Sequence, residues 1–499
     1  MKYAKYAVPS LLWGAGVAAV LALSGCGGGD DDGRDKPVID IKDPVVLPAS
    51  AVKATPPAPQ PLGIPLQTHF VVLPEPDLEK TLASETAMGT AQQIGTGRAV
   101  AATSTVAQTQ SALQWTALPS GEKAAAINIQ SIGAYGLRAG VLVERLPDGA
   151  RLRIYSQEKP QAIMERSAAE VNALLAENRR ADGTGASANT WWTPDVGAGD
   201  ATLEVVLPAG MDAEALRISV PMVSHLYRSL SLPTEAELAD AIRMDAMQAA
   251  ASKAGNAASC NLDASCTSNY RTARDAVARM MFTRPDGSSH LCTGTLLNNN
   301  KDDFTPYFLT ADHCISTQEV ASTLVTTWFY RARSCNATVP ALNSMVRSDG
   351  AMLLHASTTT DSALLELKQL PPAGVTFAGW DARAPGQVGD AVYGLHHPQG
   401  DLLKYSVGSV TGYSNCGSSG SNAPGCNTGG ASNTAYYHVR FGQGTAEGGS
   451  SGSGLFRNDR LIATLRGGRG ICLASTIYTY GRFDKVFNDH IWRWLAGHD

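Results

Sequence analysis

A glycine- and serine-rich stretch at residues 447–454 has the residue types that nucleophilic catalysis requires. It reads Glu-Gly-Gly-Ser-Ser-Gly-Ser-Gly and places Ser451 directly before a glycine. A serine nucleophile needs an exposed hydroxyl and backbone N–H groups aimed at the oxygen that becomes charged during acyl transfer. Glycines permit the tight turn that gathers such groups, although Gly/Ser clusters also form ordinary loops. We predict Ser451, rather than Ser450, as nucleophile and the N–H groups of Gly449 and Ser451 as its oxyanion hole.

Two residues earlier in the chain complete a Ser-His-Asp set. His313 follows an apolar strand end in Thr-Ala-Asp-His-Cys, and Asp361 opens the apolar run of residues 362–367. His313 would accept the serine proton, and Asp361 would hold the imidazole tautomer. Asp349 is the alternative acid, but only Asp361 abuts an apolar run that could place it at a buried strand edge. The order His, Asp, Ser is that of chymotrypsin-type enzymes.

These residues need a scaffold, and the C-terminal half alternates short apolar strands with Gly/Pro turns. This pattern is typical of antiparallel β-barrels and predicts an all-β fold. A closing helix is expected over residues 483–495, where apolar residues recur at helical spacing. The predicted strands are Ala276–Thr283, Cys292–Asn298, Tyr307–Thr310, Thr323–Tyr330, Ser362–Leu367, Asp390–Leu395, Tyr436–Phe441, Gly454–Phe456 and Leu461–Leu465.

A set of motifs in residues 259–495 identifies a family. They are Ser259-Cys260-Asn261-Leu262-Asp263, Cys292-Thr293-Gly294-Thr295, Tyr307 to Cys314, Ala378-Gly379-Trp380-Asp381, His396-His397-Pro398, the Ser451 loop and Tyr480-Gly481-Arg482. Together they resemble the bacterial lysyl endopeptidases. The resemblance implies a trypsin-like serine endopeptidase with a chymotrypsin-like double β-barrel, acting on proteins or peptides without metal or organic cofactor. We read His396-His397-Pro398 as structural.

Eight of the nine cysteines lie in this half, and an even number in an exported chain indicates four disulfides. Zinc binding is disfavoured because no paired C-x-x-C spacing occurs. Spacing alone leaves the connectivity open. The resemblance implies the pairs Cys260–Cys472, Cys266–Cys335 and Cys292–Cys314, which leaves Cys416 and Cys426 to pair with each other.

The sequence departs from the family pattern at two places. Ser450 stands where trypsin-type zymogens carry an acid, so activation by N-terminal insertion is not expected. Tyr478 stands where lysyl endopeptidases carry the lysine-binding aspartate, and Arg466 adds a cation to the same pocket. We predict weak lysine preference; Arg466 either favours an acidic or small residue before the scissile bond or is simply solvated. The predicted pocket residues are Thr445, Arg466, Gly467, Gly468 and Tyr478.

Residues 1–26 are a predicted lipoprotein signal peptide. Lys2 and Lys5 precede a short apolar core, and the segment ends in Leu-Ser-Gly-Cys. This ending resembles the bacterial lipobox, in which Cys26 is acylated and becomes the mature N-terminus. No acid follows Cys26 directly, which resembles outer-membrane sorting. We expect an outer-membrane or cell-surface lipoprotein whose protease domain could be released; simple secretion is the alternative.

The rest of the sequence, residues 27–499, divides into segments of different composition. Residues 27–68 are rich in Pro, Gly and Asp and are predicted to be a flexible linker. Residues 69–230 contain strand-like runs and a helix opened by Ser167 and Glu170, which predict a β-sandwich-like pro-domain. Residues 231–256 are predicted as a helical linker that either contains a processing site in residues 249–256 or simply connects the domains, and the protease domain follows at 257–499.

Charge limits the expected partners. The net charge is −5, so nucleic acid is not an expected partner. We expect a monomer that is anchored to the membrane through Cys26 and whose substrates are proteins or peptides. The rival hypothesis is a catalytically inactive lipoprotein that uses the same fold as a binding module.

Overall fold

Part of the predicted flexible linker is ordered against the C-terminal half. This computed structural model describes residues 40–53, 57–77, 90–248, 257–383, 385–417, 426–468, 472–473 and 475–497. Residues 40–53, called the strap below, form β1 (Ile41–Lys42) and β2 (Val45–Val46), which pair with strands of the C-terminal half. The predicted signal peptide with Cys26 and the predicted processing segment 249–256 lie outside the described residues.

The N-terminal domain spans residues 57–77 and 90–230. Its helix α2 (Ala168–Asp182) follows α1 (Val106–Ala112), and the predicted capping box of Ser167 and Glu170 is confirmed. Helix α3 (Glu235–Gln248) comes after the domain. The strands are β3 (Thr68–Leu73), β4 (Gln92–Ala99), β5 (Thr116–Ala117), β6 (Lys123–Ser131), β7 (Gly136–Arg145), β8 (Arg151–Ser156), β9 (Lys159–Ser167), β10 (Thr190–Trp192), β11 (Asp200–Leu207) and β12 (Arg217–Leu226).

The C-terminal half contains the remaining elements. The short helices are α4 (Arg271–Arg274), α5 (Gln318–Ala321), α6 (Phe483–Val486) and α7 (Trp492–Leu495). The strands are β13 (Leu262–Asp263), β14 (Val277–Thr283), β15 (Ser289–Leu297), β16 (Tyr307–Thr310), β17 (Val325–Trp328), β18 (Met345–Arg347), β19 (Ala351–Ser357), β20 (Ser362–Leu367), β21 (Thr376–Phe377), β22 (Gly379–Asp381), β23 (Ala391–His396), β24 (Lys404–Cys416), β25 (Cys426–Thr428), β26 (Tyr436–Gln443), β27 (Gly454–Arg457), β28 (Arg460–Gly468) and β29 (Ile477–Arg482).

These strands form the all-β double barrel that was expected. The second barrel closes through β23, β24, β26, β29, β28 and β27, each antiparallel to the next. The first barrel runs β19, β20, β16, β15, β14, β17 around a core that includes Phe282, Phe308 and Trp328. Helical turns between Phe483 and Leu495 pack on the core next to Trp380.

The N-terminal domain shares a sheet with the first barrel. One of its sheets is its own, in the order β3-β6-β11-β8-β9, but β10, β7, β12 and β4 continue into β15. Between the two sheets lies an apolar core to which Val171 and Leu175 of α2 contribute. The two layers agree with a sandwich, yet one layer continues into the protease half.

The four disulfides join Cys260–Cys472, Cys266–Cys335, Cys292–Cys314 and Cys416–Cys426. These are the pairs that the family resemblance implied, together with the remaining pair. All four lie in the C-terminal half. None of the helices in the described ranges has the length and apolar character needed to span a bilayer.

Candidate active site

Two neighbouring strands of the first barrel bring His313 and Asp361 together. Strand β16 ends at Thr310, opposite Ala363 of the antiparallel strand β20. The residues just beyond these ends therefore meet. His313 Nδ1 lies 2.8 Å from Asp361 Oδ2, and the His313 backbone N–H donates to Asp361 Oδ1 at 3.0 Å. This double contact orients the imidazole as a general base requires.

The Asp361 carboxyl is fully buried and its surroundings favour the charged form. Burial by itself opposes ionisation. The charge and hydrogen bonds of His313, with a further contribution from Arg466, outweigh burial and hold the pKa of Asp361 below its usual value. Asp312 shows the opposite behaviour, because burial and the neighbouring Asp361 charge raise its pKa to about 6.

The Ser451 loop is bound to the first barrel through Thr293, the residue after Cys292. The Thr293 N–H donates to Ser451 O at 2.8 Å, and its hydroxyl donates to Gly449 O at 2.8 Å. Thr310, at the end of β16, donates in turn to Thr293 O at 3.0 Å. The predicted nucleophile loop thus lies beside the strand that leads to His313.

The conformation of the loop leaves two N–H groups available. Gly449 has φ +88°, a left-handed conformation that favours glycine, and a side chain there would meet the backbone of residues 397–400. The N–H groups of Ser450, Gly452 and Ser453 donate to carbonyls. Those of Gly449 and Ser451 make no hydrogen bond among the described residues. This is the pair that the sequence predicted for an oxyanion hole.

His313 Nε2, the atom predicted to accept the serine proton, also has no hydrogen-bond partner among the described residues. His313 Nε2 is buried and makes no hydrogen bond within the described parts of the chain, so no Ser451–His313 hydrogen bond is formed. Ser451 itself is 6% exposed. Nucleophile–base contacts are often loose without substrate and tighten on binding.

Ser450, the residue before the predicted nucleophile, belongs to a series of neutral hydrogen-bonded side chains. Its hydroxyl lies 3.0 Å from His396 Nδ1, and His396 Nε2 lies 3.1 Å from the Ser406 hydroxyl. Burial and the nearby Lys404 charge lower the pKa of His396 to about 3, so the imidazole is neutral at physiological pH. His396 therefore supports the nucleophile loop, a contact consistent with the structural role predicted for it.

The predicted pocket residues gather around Tyr478. The Tyr478 hydroxyl lies 2.6 Å from the Thr445 hydroxyl and accepts from the Ala446 N–H at 3.3 Å. A side chain on Gly468 would collide with the Tyr478 ring, while Gly467 has φ +155°. Tyr478, which is predicted to stand in place of the family's lysine-binding carboxylate, is 2% exposed.

Arg466 is held inside the site. One guanidinium nitrogen donates to Gly417 O at 2.8 Å, and Nε lies 3.9 Å from Asp361 Oδ2. The guanidinium carbon is 5.5 Å from the centre of the Tyr436 ring. These contacts favour a structural role for Arg466 over simple solvation.

Two contacts at the site were missed by sequence reasoning. Gln92, at the start of β4, packs its side-chain oxygen so closely against Gly448 that a side chain on Gly448 would displace it. Glu447 accepts hydrogen bonds from the Ala258 N–H at 2.8 Å and from Asn261 Nδ2 at 2.6 Å. Both contacts join residues that are far apart in sequence, so no local sequence pattern predicts them.

The described side chains include one cluster with metal-ligand types, Cys292, His313 and Cys314. Cys292 and Cys314 are joined to each other in a disulfide. A disulfide sulfur is not the thiolate that binds metal ions, so this cluster does not fit a metal site.

Comparison with known proteins finds family matches for both the N-terminal and the C-terminal half of this chain. Residues 254–483 match the family model of the lysyl endopeptidase C-terminal domain, and residues 72–227 match that of the lysyl endopeptidase N-terminal domain. A lysyl endopeptidase of Pseudomonas aeruginosa is 34% identical over 425 residues, covering 82% of each chain. Secreted RxLR effector protein 73 of Plasmopara viticola is 29% identical over 241 residues, 46% of this chain and 54% of that protein.

Solved structures with partial similarity include two proteases. The active form of the Rv3671c protease of M. tuberculosis is 17% identical with TM-score 0.31, covering 50% of this chain and 96% of that one. The HtrA-type protease AlgW, solved with a tripeptide, is 16% identical with TM-score 0.29 and covers 46% of this chain and 63% of that one.

Proposed function

Because this chain belongs to the lysyl endopeptidase family of serine endopeptidases, we propose that it cleaves peptide bonds with Ser451 as nucleophile, His313 as general base and Asp361 as its orienting acid. The observation that carries this assignment is the 2.8 Å contact between His313 Nδ1 and Asp361 Oδ2. It fixes the tautomer that leaves Nε2 free to accept a proton.

The reaction follows from these positions. Ser451 Oγ attacks the carbonyl carbon of the scissile bond while His313 Nε2 takes its proton. The developing oxyanion is stabilised by the N–H groups of Gly449 and Ser451. His313 then protonates the leaving amine, an acyl-enzyme remains on Ser451, and water activated by the same imidazole releases the acid product. Metal and organic cofactors have no part in these steps.

The substrate pocket differs from the lysine-binding type. A lysine ammonium needs a carboxylate partner when it is buried. The phenol of Tyr478 bonds to Thr445 instead, and Arg466 adds positive charge beside Asp361. We therefore propose that lysine before the scissile bond is not strongly preferred.

The uncut chain is proposed to be a latent precursor. Strand β4 of the N-terminal domain pairs with β15 at Ser289 and Leu291, beside the Cys292–Cys314 disulfide, and Gln92 packs against Gly448. An extended substrate needs an open sheet edge next to the catalytic residues. Cleavage in residues 249–256 would allow the domain to leave. Export and lipidation at Cys26, which place the enzyme at the outer membrane, belong to the same proposal.

A fluorophosphonate probe tests the assignment and its rival. We expect labelling of the processed protein at Ser451, with loss of labelling in Ser451→Ala and a decrease in kcat of roughly 10⁶-fold. Ser450→Ala is the matched control and should still be labelled, at a lower rate because its contact with His396 is lost. Absence of labelling in folded, processed protein would favour the inactive binding module.

A further inference from the structure

The strap precedes the N-terminal domain in sequence but binds the protease half. Strand β1 pairs antiparallel with β22, with Ile41 opposite Asp381, and β2 pairs antiparallel with β21, with Val45 opposite Phe377. The Ala382 N–H also donates to Asp40 O at 2.8 Å. The strap thus adds strands to edges of the protease half, a common mode of peptide binding.

Leu47 fixes the strap in the core of the first barrel. It is 1% exposed and belongs to the same buried cluster as Val375 and Phe377. Its N–H donates to Val375 O at 2.8 Å, and its carbonyl accepts from the Gly374 N–H at 2.9 Å. Leu47 therefore completes a hydrophobic core made of protease residues and Ala91 of the N-terminal domain, and Val45, Ala51 and Val52 of the strap pack against the same core.

Charged and polar contacts fix the register of β1. Lys42 Nζ lies 2.7 Å from Asp302 Oδ2, and Asp43 forms an ion pair with Arg460. Asn298 Nδ2 donates to Asp43 O at 2.9 Å. A side chain on Gly379 would collide with the strap backbone at Lys42 and Pro44, so the surface is shaped for the strap.

No covalent bond outside the main chain joins the strap to the protease half among the described residues. The four disulfides all lie between Cys260 and Cys472. The main chain leaves the strap at residue 53, builds the N-terminal domain and returns at residue 257. A cut in residues 249–256 would therefore separate the strap covalently from the protease while leaving each of its contacts in place.

We infer that the strap remains bound to the protease half as a non-covalent strand after the precursor is cut. After this single cut the N-terminal domain is still joined to the strap through the main chain, so the strap retains the mature protease whether the domain stays docked or moves away from the protease half. This inference rests on the processing in the proposed function. With a lipid at Cys26, the strap holds the active enzyme at the membrane.

The test uses the full chain with Ser451→Ala, which prevents self-cleavage. Recognition sequences for a site-specific protease are placed at residues 54–56 and 249–256, so that cutting yields the strap piece, the N-terminal domain and the protease half. Size-exclusion chromatography then measures how much strap piece elutes with the protease half. We expect the strap piece of the parent protein to elute with the protease half. Leu47→Ala should raise the dissociation constant of the strap piece at least about tenfold. Val46→Ala, at a position 55% exposed, is the matched control and should be retained.

Elution of the unaltered strap piece apart from a folded protease half would overturn the inference. Equal retention of the Leu47→Ala and Val46→Ala pieces would overturn the role of Leu47. Amide hydrogen exchange in the uncut protein gives a second measurement, with slow exchange expected at Leu47 and Gly374. Because all of these proteins carry Ser451→Ala, the result is independent of whether Ser451 is the nucleophile.

Discussion

Arg466 Nε lies 3.9 Å from Asp361 Oδ2, so the buried acid of the proposed triad has a guanidinium beside it in addition to the His313 imidazole. Arg466 is also one of the residues predicted to line the substrate pocket. Here the guanidinium also donates to Gly417 O and stacks near Tyr436. The residue that distinguishes this pocket therefore also contributes to the charge balance of the proposed triad.

Arg466→Met should make catalysis more sensitive to acid. Arg466 is one of the groups that hold the pKa of Asp361 below its usual value, so its removal lets that pKa rise. On acidification the Asp361 carboxylate then becomes protonated at higher pH, and kcat/KM should fall earlier than in the parent enzyme. The measurement is a pH profile with a substrate that is uncharged at the cleavage site. Arg440→Met, an exposed arginine on β26, is the control; superimposable profiles for Arg466→Met and parent would contradict the prediction.

Asp312→Asn should stabilise the protein at neutral pH. The pKa of Asp312 is raised to about 6 in the folded state, against about 4 in an unfolded chain. Between these values the unfolded chain releases the proton while the folded state retains it, so folded stability falls as pH rises through this window. Asp312→Asn avoids this loss in the free energy of unfolding, which is on the order of 1–2 kcal/mol. In a Ser451→Ala background, its gain in Tm over the parent should be larger at about pH 7 than at about pH 4; an equal gain at both would contradict it.

His396→Phe should slow acylation without abolishing it. The Ser450 hydroxyl would lose His396 Nδ1 as its acceptor, although its oxygen still accepts from the Glu447 N–H. The Ser406 hydroxyl keeps Thr445 O as its acceptor. A buried donor left unsatisfied costs about 1–3 kcal/mol. We expect kcat to fall about tenfold to a hundredfold, with a parallel decrease in the rate of fluorophosphonate labelling. His438→Phe, on β26 of the same barrel, is the matched control. An unchanged labelling rate in His396→Phe would show that the Ser451 loop does not depend on its hydrogen bond to His396.

Gln92→Ala should make the uncut precursor more reactive. The Gln92 side chain packs against Gly448, next to the proposed oxyanion hole, and its loss opens that space. The initial rate of fluorophosphonate labelling of uncut protein should rise several-fold. Gln93→Ala changes the neighbouring side chain, which bonds to Gly95 O within its own strand, and should have no such effect. Equal rates for the two variants would contradict the proposed block.

A peptide library should show weak discrimination in favour of lysine. Tyr478 offers a hydroxyl already bonded to Thr445 in place of a carboxylate. Tyr478→Asp should increase the ratio of kcat/KM for lysine over leucine before the scissile bond, whereas Tyr478→Asn should not. The mature N-terminus, determined by sequencing, supplies an independent reading. A new terminus at Ala254 with strong cleavage after lysine, both lost in Ser451→Ala, would show that the pocket argument is wrong.

Local sequence patterns were sufficient to predict the fold class, the family and the enzyme class. Strands β16 and β20 were predicted with their observed bounds, since short apolar runs between turns mark strands without reference to their partners. The residues proposed for catalysis were also identified in this way, because His313, Asp361 and Ser451 each stand in a distinctive local motif.

What only the tertiary structure decided is which distant segments meet. Strand pairing is made by backbone groups that every residue carries, so sequence does not reveal that β4 joins the edge of β15 or that the strap joins β21 and β22. The strap lies in a stretch whose Pro, Gly and Asp content predicted a flexible linker, yet burial of Leu47 and pairing with strand edges place it against the protease half. Arg466 likewise contacts Asp361 only because the two barrels pack together, and a side chain's direction across such a junction depends on the packing of both.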